Sequence, residues 1–147
     1  MFSYILFDLD GTVSDPKAGI TGSVQYALHA LGIEEPDLDR LEPFIGPPLR
    51  DSFQEYYNLN EEQTEFAVKK YRERFCAKGI YENILYPGMK ELLNRLKESG
   101  CHLAVASSKL EVSVTEILRY FAIGDCFEVT VGSEPDGRRS KKEEVVE

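Results

Sequence analysis

The segment Tyr4–Thr12, YILFDLDGT, joins an apolar run directly to two aspartates, a glycine and a threonine. The apolar run is rich in aromatic and β-branched residues, which predicts a buried strand over Ser3–Phe7. Asp8 and Asp10 are two positions apart, so on an extended chain they lie on the same side and repel each other. We therefore expect a metal ion or a phosphate site at this strand end, where it stabilises the two carboxylates.

The pattern of the remaining sequence predicts two domains. Apolar residues recur at helical spacing between residues 17 and 82, and no strand pattern interrupts them. A helix pattern, the apolar run His102–Ala106, a second helix pattern and the strand candidate Phe127–Val131 then follow. Such alternation predicts a parallel sheet with right-handed crossovers. We predict an α/β core formed by residues 1–16 and 83–147, with an inserted helical domain over residues 17–82.

Several helical positions are predicted individually. Asn60 is a candidate N-cap, and the helix after it has apolar positions at Phe66, Val68, Tyr71 and Phe75. The later helices have predicted apolar faces at Met89, Leu92, Leu93 and Leu96, and at Val112, Val114, Ile117, Leu118 and Phe121. Tyrosines at positions 56, 57, 71, 81 and 86 are expected in the core of the helical domain and not in a stacking surface.

Composition limits the classes of partner. The chain has 26 acidic and 17 basic residues among 147, a net charge of −9. A scattered acidic surface repels nucleic acids and anionic membranes, so neither is an expected partner. The N-terminus lacks the basic region of a signal peptide, and no apolar stretch is long enough to span a bilayer. The three cysteines match no zinc spacing and predict buried, reduced thiols, as in a cytoplasmic protein.

Polar residues follow the predicted strands at their carboxyl ends, where open α/β sheets bind ligands. Asp8 and Asp10 follow the first strand, Ser107 follows the second, and a Gly/Pro/Asp loop follows the third. Two acids, a hydroxyl and nearby lysines predict a site for an anionic, phosphate-like substrate with a divalent cation.

Two other interpretations of Asp10-Gly11 fit less well. A hairpin turn would need an alternating partner strand, but the sequence becomes helical from Lys17. An EF-hand loop would need glycine where Val13 stands and glutamate where Gly19 stands.

These motifs resemble those of the haloacid dehalogenase (HAD) superfamily of phosphohydrolases. "FDLDGT" resembles its first motif, "LAVASSK" its second and "SKKEEVVE" its third, and the helical insertion resembles its small cap. "DGTVSDPKAGI" and "FIGPPLRDSF" are similar to the phosphoglycolate phosphatase and 5'-nucleotidase-like branch. The resemblance implies a Rossmann-like parallel sheet with a helical cap, and a Mg²⁺-dependent phosphatase that hydrolyses a small phosphorylated metabolite.

The resemblance also implies roles for individual residues. Asp8 would be the nucleophile that forms an aspartyl-phosphate, and Asp10 the general acid and base. Mg²⁺ would be held by the Asp8 carboxylate and the Asp10 carbonyl. The implied phosphate-binding residues are Gly11, Thr12, Ser107, Ser108 and Lys142, with Lys141 as the alternative lysine. Arg50 and Lys109 are candidates for substrate contacts, and an exposed, solvated side chain is the alternative for each.

The C-terminal part departs from the family pattern. Members of the family continue past the third motif to a strand that ends in paired acids, whereas this sequence ends at Glu147. Glu134 and Asp136 are not assigned as metal ligands. We expect weaker metal binding and an exposed sheet edge that favours self-association. A fragment that binds phosphate or a partner without turnover, and a phosphomutase, stay open as alternatives, and the phosphate ester itself is not identified.

Overall fold

The computed structural model describes residues 4–134, which divide into two compact units. One unit contains the described residues up to Asp15 and those from Ile84 onward, and the other contains Pro16–Asn83. In chain order the elements are β1 (Tyr4–Asp8), β2 (Ser14–Asp15), α1 (Lys17–Ala30), α2 (Leu49–Tyr57), α3 (Glu61–Ala77), β3 (Ile84–Leu85), α4 (Met89–Glu98), β4 (His102–Leu110), α5 (Glu111–Tyr120) and β5 (Val129–Ser133). Short 3-10 helices cover Leu38–Phe44, Gly79–Tyr81 and Gly124–Cys126.

The first unit is an α/β domain with a parallel sheet, as the sequence predicted. Its three main strands are arranged in the order β1-β4-β5, and both pairings are parallel. Asp8 is the last residue of β1 and lies opposite Ala106 of β4. The carboxyl end of β1 therefore lies beside Ala106 of β4, and β4 runs four residues further in the same direction.

Several strand boundaries were predicted wrongly, and β1 is not the buried strand that was predicted: Tyr4 and Leu6, which share one face of the strand, are 74% and 58% exposed. β4 continues through Ser107 and Lys109 to Leu110 instead of ending at Ala106, although its pairing with β5 is irregular between Ala106 and Leu110. Polar residues hid this continuation, because the prediction followed hydrophobicity alone. β5 begins at Val129 and not at Phe127, because Phe127 closes the preceding 3-10 turn with an N–H bond to the Gly124 carbonyl.

A second, antiparallel sheet of two short strands was not predicted. Ser14 pairs with Leu85 and Asp15 pairs with Ile84, so β2 and β3 form a ribbon within the α/β unit. Two residues are too few to show an alternating pattern, so the sequence carries no signal for this ribbon.

The apolar faces of α4 and α5 are narrower than predicted. Val112 and Leu92 are 70% and 44% exposed, so their predicted core positions are wrong. Val112 lies on the face of α5 opposite to Val114 and Ile117, which are fully buried. The buried apolar side chains of the unit are Leu9, Val13, Leu93, Leu103, Val105, Ala106, Val114, Ile117, Leu118, Ile123, Cys126 and Phe127.

The second unit is helical, with α1 packed against α3. Asn60 is the N-cap of α3, as predicted: its side chain accepts the Gln63 N–H at 2.8 Å, and the Gln63 side chain accepts the Asn60 N–H at 3.0 Å. This reciprocal pair satisfies two N–H groups that the helix itself leaves open. Val68 and Tyr71 are buried, whereas the predicted core position of Phe66 is wrong because its ring is exposed.

A network of polar side chains joins α1, α3 and the end of the helical unit. Arg74 donates to both carboxylate oxygens of Glu82 at 2.9 and 3.3 Å, and to the buried Ser23 hydroxyl at 3.1 Å. Close backbone packing accompanies it: a Cβ on Gly19 would lie 2.2 Å from the Gly79 carbonyl oxygen. Glycine at position 19 is therefore required for α1 to approach the turn after α3.

Other core expectations are only partly met. Tyr71 is buried, but Tyr56, Tyr81 and Tyr86 are exposed, and their predicted core positions are wrong. Tyr86 also lies outside the helical unit. Cys126 is buried as expected, whereas Cys76 is exposed. Among residues 4–134, no helix is long and apolar enough to cross a membrane.

Candidate active site

A tight turn after β1 places the two aspartates. The Leu9 carbonyl accepts the N–H groups of Thr12 and Val13 at 3.2 and 2.9 Å, and Leu9 and Val13 have no exposed surface. The Leu9 N–H donates to Asp8 Oδ1 at 2.8 Å, which orients that carboxylate. Leu9 lies between the two aspartates and Val13 follows them, so burial of these two apolar side chains holds the turn in place.

Glycine is needed at position 11 for a backbone reason. Gly11 has φ +79°, in the left-handed region that favours glycine, and its N–H donates to the Ser14 carbonyl at 2.8 Å. That N–H is therefore already engaged in this structure. The phosphate contacts expected from Gly11 and Thr12 stay predictions, and both residues are exposed at the surface of the turn.

The structure brings Asp10 and Lys109 together. Lys109 Nζ lies 3.3 Å from Asp10 Oδ2, and the two side chains are only 9% and 8% exposed. The solvated lysine considered as an alternative for position 109 is therefore wrong. Buried charges persist when they are paired, so this contact stabilises both groups at the strand ends.

The second oxygen of Asp10 has no protein partner among the described residues. Asp10 Oδ1 is buried and accepts no hydrogen bond within residues 4–134. A buried carboxylate oxygen without a partner is costly, so it marks a position for a proton or a ligand. The sequence showed the two acids, but only the structure distinguishes a paired oxygen from an unpartnered one.

Ser107 and Ser108 lie on the last part of β4. Ser107 follows Ala106, the partner of Asp8, and its hydroxyl is buried and accepts the Lys109 N–H at 3.1 Å. Ser108 is half-buried. The shared edge of β1 and β4 therefore holds Asp8 and Ser107 on neighbouring strands, as expected for residues at the carboxyl ends of a parallel sheet.

The junction after Lys109 depends on close packing against Gly132. The Gly132 N–H donates to the Glu111 carboxylate at 3.2 Å. A Cβ on Gly132 would lie 2.6 Å from Glu111 Cα, from Glu111 N and from the Lys109 carbonyl oxygen. These are backbone atoms, which cannot move aside as a flexible side chain can. Sequence analysis gave this glycine no role.

We expect Gly132→Ala to destabilise the α/β unit by about 1–3 kcal/mol, because the added methyl group forces two backbone segments apart. Urea unfolding of the purified chain measures this loss. Gly124→Ala is the matched control, since a Cβ there meets nothing within 4 Å and its φ is not positive. Equal unfolding free energies for the two variants would contradict the packing argument.

Of the remaining predicted site residues, one belongs to the helical unit and the others lie outside the described range. Arg50 is on α2 of the helical unit, where it forms an ion pair with Glu65. Lys141, Lys142 and Asp136 lie outside the described residues, so their predicted roles stay predictions. Glu134 directly follows β5, and the structure gives no reason to assign it as a metal ligand.

The donor chemistry at the end of β1 fits a hard cation. The ligands expected here, the Asp8 carboxylate and the Asp10 main-chain carbonyl, are both hard oxygen donors, and Mg²⁺ usually keeps several waters and needs few protein ligands. Within residues 4–134, no group of three or more histidine, cysteine, aspartate or glutamate side chains is arranged to hold a metal ion.

Comparison with known proteins agrees with this fold and with the sequence motifs. The family model described as "Haloacid dehalogenase-like hydrolase" matches residues 5–145. The chain is 53% identical over 142 residues to a 5'-nucleotidase of Pseudomonas aeruginosa, covering 97% of this chain and 64% of that protein. It is 38% identical to the tyrosine-protein kinase PtkA of Mycobacterium tuberculosis, covering 97% of this chain and 48% of that protein. The chain thus spans about half to two thirds of the length of these relatives.

A solved structure of a similar protein has the same fold as this chain. The crystal structure of a predicted phosphatase from Clostridium acetobutylicum has a TM-score of 0.96 and 47% sequence identity, covering 99% of this chain and 68% of that chain. The family resemblance seen in "FDLDGT" and "LAVASSK" is therefore confirmed, together with the α/β class. On the match over residues 5–145 and these identities, the chain belongs to the haloacid dehalogenase-like hydrolase family.

Proposed function

We propose that this chain carries the catalytic residues of a Mg²⁺-dependent phosphatase that hydrolyses a small phosphate monoester through an aspartyl-phosphate on Asp8. One observation carries the proposal: two residues after Asp8, a buried Asp10 side chain has one oxygen held by Lys109 and the other without a partner among residues 4–134. A dehalogenase has no need for a second acid. Hydrolysis of a phosphate ester uses a second acid twice, first to protonate the leaving oxygen and then to activate water.

The proposed reaction has two steps. The Asp8 carboxylate attacks phosphorus, the bond from phosphorus to the ester oxygen breaks, and Asp10 gives its proton to that oxygen as the alcohol leaves. Asp10 then takes a proton from a water molecule, which attacks the phosphorus of the aspartyl-phosphate. The bond from phosphorus to the Asp8 oxygen breaks, and free phosphate and the Asp8 carboxylate are regenerated.

The other residues of the site bind and neutralise the substrate. Ser107 and Ser108, with Thr12 and Lys142, are proposed to contact the phosphoryl oxygens. Asp8 and the Asp10 carbonyl would hold Mg²⁺, which supplies charge neutralisation at the transferring phosphoryl group. Removal of divalent ions by a chelator should therefore abolish turnover, and added Mg²⁺ should restore it.

Phosphate release from p-nitrophenyl phosphate tests the proposal most directly. Metal-dependent release by the purified chain supports a phosphatase. A chain that binds inorganic phosphate in equilibrium dialysis but releases none from the ester would instead support the alternative of a binding protein without turnover.

The identity of the phosphoryl acceptor is a separate question. One relative is named as a tyrosine kinase, and transfer from an aspartyl-phosphate to a hydroxyl group uses the same first step as hydrolysis. We favour water as the acceptor because another relative is named as a nucleotidase at higher identity. Phosphate release measured with and without added hydroxyl acceptors, including a phosphosugar for mutase activity, distinguishes hydrolysis from transfer.

Lys109 is proposed as a positioning residue for Asp10, since it pairs with Oδ2 and leaves Oδ1 for the proton. Lys109→Met should lower kcat/KM about 10- to 100-fold, the effect of losing one hydrogen bond to a charged group. Most of the loss should be in kcat, because the pair orients a reacting group.

Lys97→Met is the matched control, because Lys97 donates to the Asp125 carbonyl at the exposed surface of the same unit. An unchanged kcat in Lys109→Met, with a normal unfolding curve, would exclude the positioning role. Steady-state kinetics and urea unfolding of both variants provide these measurements.

A further inference from the structure

One edge of the main sheet is open within the described residues. β1 pairs with β4 on one side, and among residues 4–134 no strand pairs with its other side. The backbone N–H and C=O groups along that side therefore have no strand partner in the described part of the chain. Such an edge is a template for pairing with another strand.

The same strand also has an open face. Tyr4 and Leu6 are 74% and 58% exposed, and Val129 of β5, which lies on the same face, is 52% exposed. On the other face of the sheet, Leu103 and Val105 are buried. Parallel sheets are normally covered on both faces, so exposed apolar side chains in this position indicate a contact surface.

β1 lacks the features that keep an edge strand from pairing. Natural edges are protected by lysines, prolines or bulges. Residues 4–7 carry no charge and include neither proline nor glycine, and they pair with β4 in unbroken register. The Tyr4 ring is held in place by stacking on His102 of β4, with 4.9 Å between the ring centroids. This edge is therefore both regular and unprotected.

Charge distinguishes the β1 edge from the edge at β5. Glu128 precedes β5 and Glu134 follows it. In an antiparallel pair of two β5 strands centred on Val131, each Glu128 would lie opposite the partner's Glu134, and like charges directly opposite each other are destabilising. β1 has only Asp8, at its carboxyl end, so two copies of β1 can pair through the uncharged part of the strand.

We propose that two copies of this chain associate through β1, in antiparallel orientation about a two-fold axis, so that their three-stranded sheets form one continuous sheet. With Ile5 opposite the partner's Ile5, Tyr4 of each copy lies beside the partner's Leu6 on the exposed face. This register pairs aromatic with aliphatic side chains and places each Asp8 beyond the paired residues. Because a two-fold contact is self-complementary, it closes at two copies. The proposal does not depend on catalysis by the α/β unit.

Sedimentation velocity of the purified chain over a wide range of concentrations tests the proposal. The expected species are the 16.7 kDa chain and a species of twice that mass, whose share grows as the concentration rises. Added salt should favour the dimer, because it screens the repulsion between two chains of net charge −9. A single species of 16.7 kDa at every concentration excludes the proposal. Assemblies that keep growing beyond two copies exclude the two-fold contact.

Leu6→Lys should weaken dimerisation about a hundredfold or more, because symmetry removes two buried leucines and brings two charges into the contact. Val112→Lys is the matched control, since it adds the same charge at an apolar position of α5 that is 70% exposed, and it should leave the equilibrium unchanged. Val129→Lys separates pairing of the edges from packing of the two open faces, and it should retain the dimer. Equal weakening by Val129→Lys and Leu6→Lys would show that the faces pack together and would contradict edge pairing. Urea unfolding checks that each variant keeps its fold.

Hydrogen exchange followed by mass spectrometry locates the contact without any substitution. The peptide that contains β1 should exchange more slowly as the concentration of the unmutated chain rises, whereas the peptide that contains β5 should be unaffected. Protection of β1 that is the same at every concentration, in a monomeric chain, would show that the edge is covered within one chain and would exclude a second copy as its occupant. Neither sedimentation nor hydrogen exchange requires phosphatase activity, so failure of the proposed function and failure of the dimer are distinguishable.

Discussion

Asp8→Asn is expected to lower phosphate release from p-nitrophenyl phosphate by more than about a thousandfold, because the neutral amide cannot act as the nucleophile. The substitution keeps the shape of the side chain. The amide oxygen can still accept the Leu9 N–H that now binds Asp8 Oδ1 at 2.8 Å. A loss of activity without a loss of stability therefore isolates the chemical role of the carboxylate.

Asp125→Asn is the matched control for this experiment, since it makes the same change of charge on an exposed residue of the same unit. Its activity should equal that of the unmutated chain. Urea unfolding of both variants checks that the fold is retained. Full activity in Asp8→Asn would refute the aspartyl-phosphate mechanism.

Asp10→Asn is expected to lower activity by about 10²–10⁴-fold toward alkyl phosphates, the usual size of a general acid–base contribution. The decrease in the rate of the first step should be smaller for p-nitrophenyl phosphate, because p-nitrophenolate leaves readily without a proton. The second step still needs a base to activate water. The variant should therefore accumulate phosphorylated Asp8 when it is mixed with p-nitrophenyl phosphate.

Intact-protein mass spectrometry after rapid mixing detects this phosphorylated form, and Asp8→Asn combined with Asp10→Asn is the control that cannot form it. Because Asp10 also neutralises the buried Lys109, the unfolding free energy must be measured alongside. Equal losses of activity toward alkyl phosphates and p-nitrophenyl phosphate, with no phosphorylated protein, would show that Asp10 is not the general acid and base.

Several features of both units could be predicted from sequence because they leave a recognisable pattern in the chain. The run ending in Phe7 needed only its own hydrophobicity to be recognised as a strand. The parallel sheet followed from the alternation of strands and helices. Asn60 was recognised as a helix cap because a cap is made by residues three positions apart. The strand and the helix cap are each encoded within a few residues.

Other features depended on residues far apart in the chain. The continuation of β4 through Ser107 and Lys109 was missed, since polar residues can occupy a strand whose backbone pairs with its neighbours. The exposure of Phe66 and Val112 was also missed, because the apolar pattern does not say how wide the covered face of a helix is. In each case the neighbouring strand or helix determines whether the residue is paired or buried, and the residue type alone does not.

The sequence by itself determined that two carboxylates follow an apolar strand and that serines and a lysine follow another, together with the family to which this pattern belongs. Only the tertiary structure decided that Lys109, 99 positions after Asp10, pairs with one oxygen of that carboxylate, and that the other oxygen has no partner in the described part of the chain. The reason is physical: a sequence pattern records which charges are present, whereas burial and distance determine which of them are neutralised.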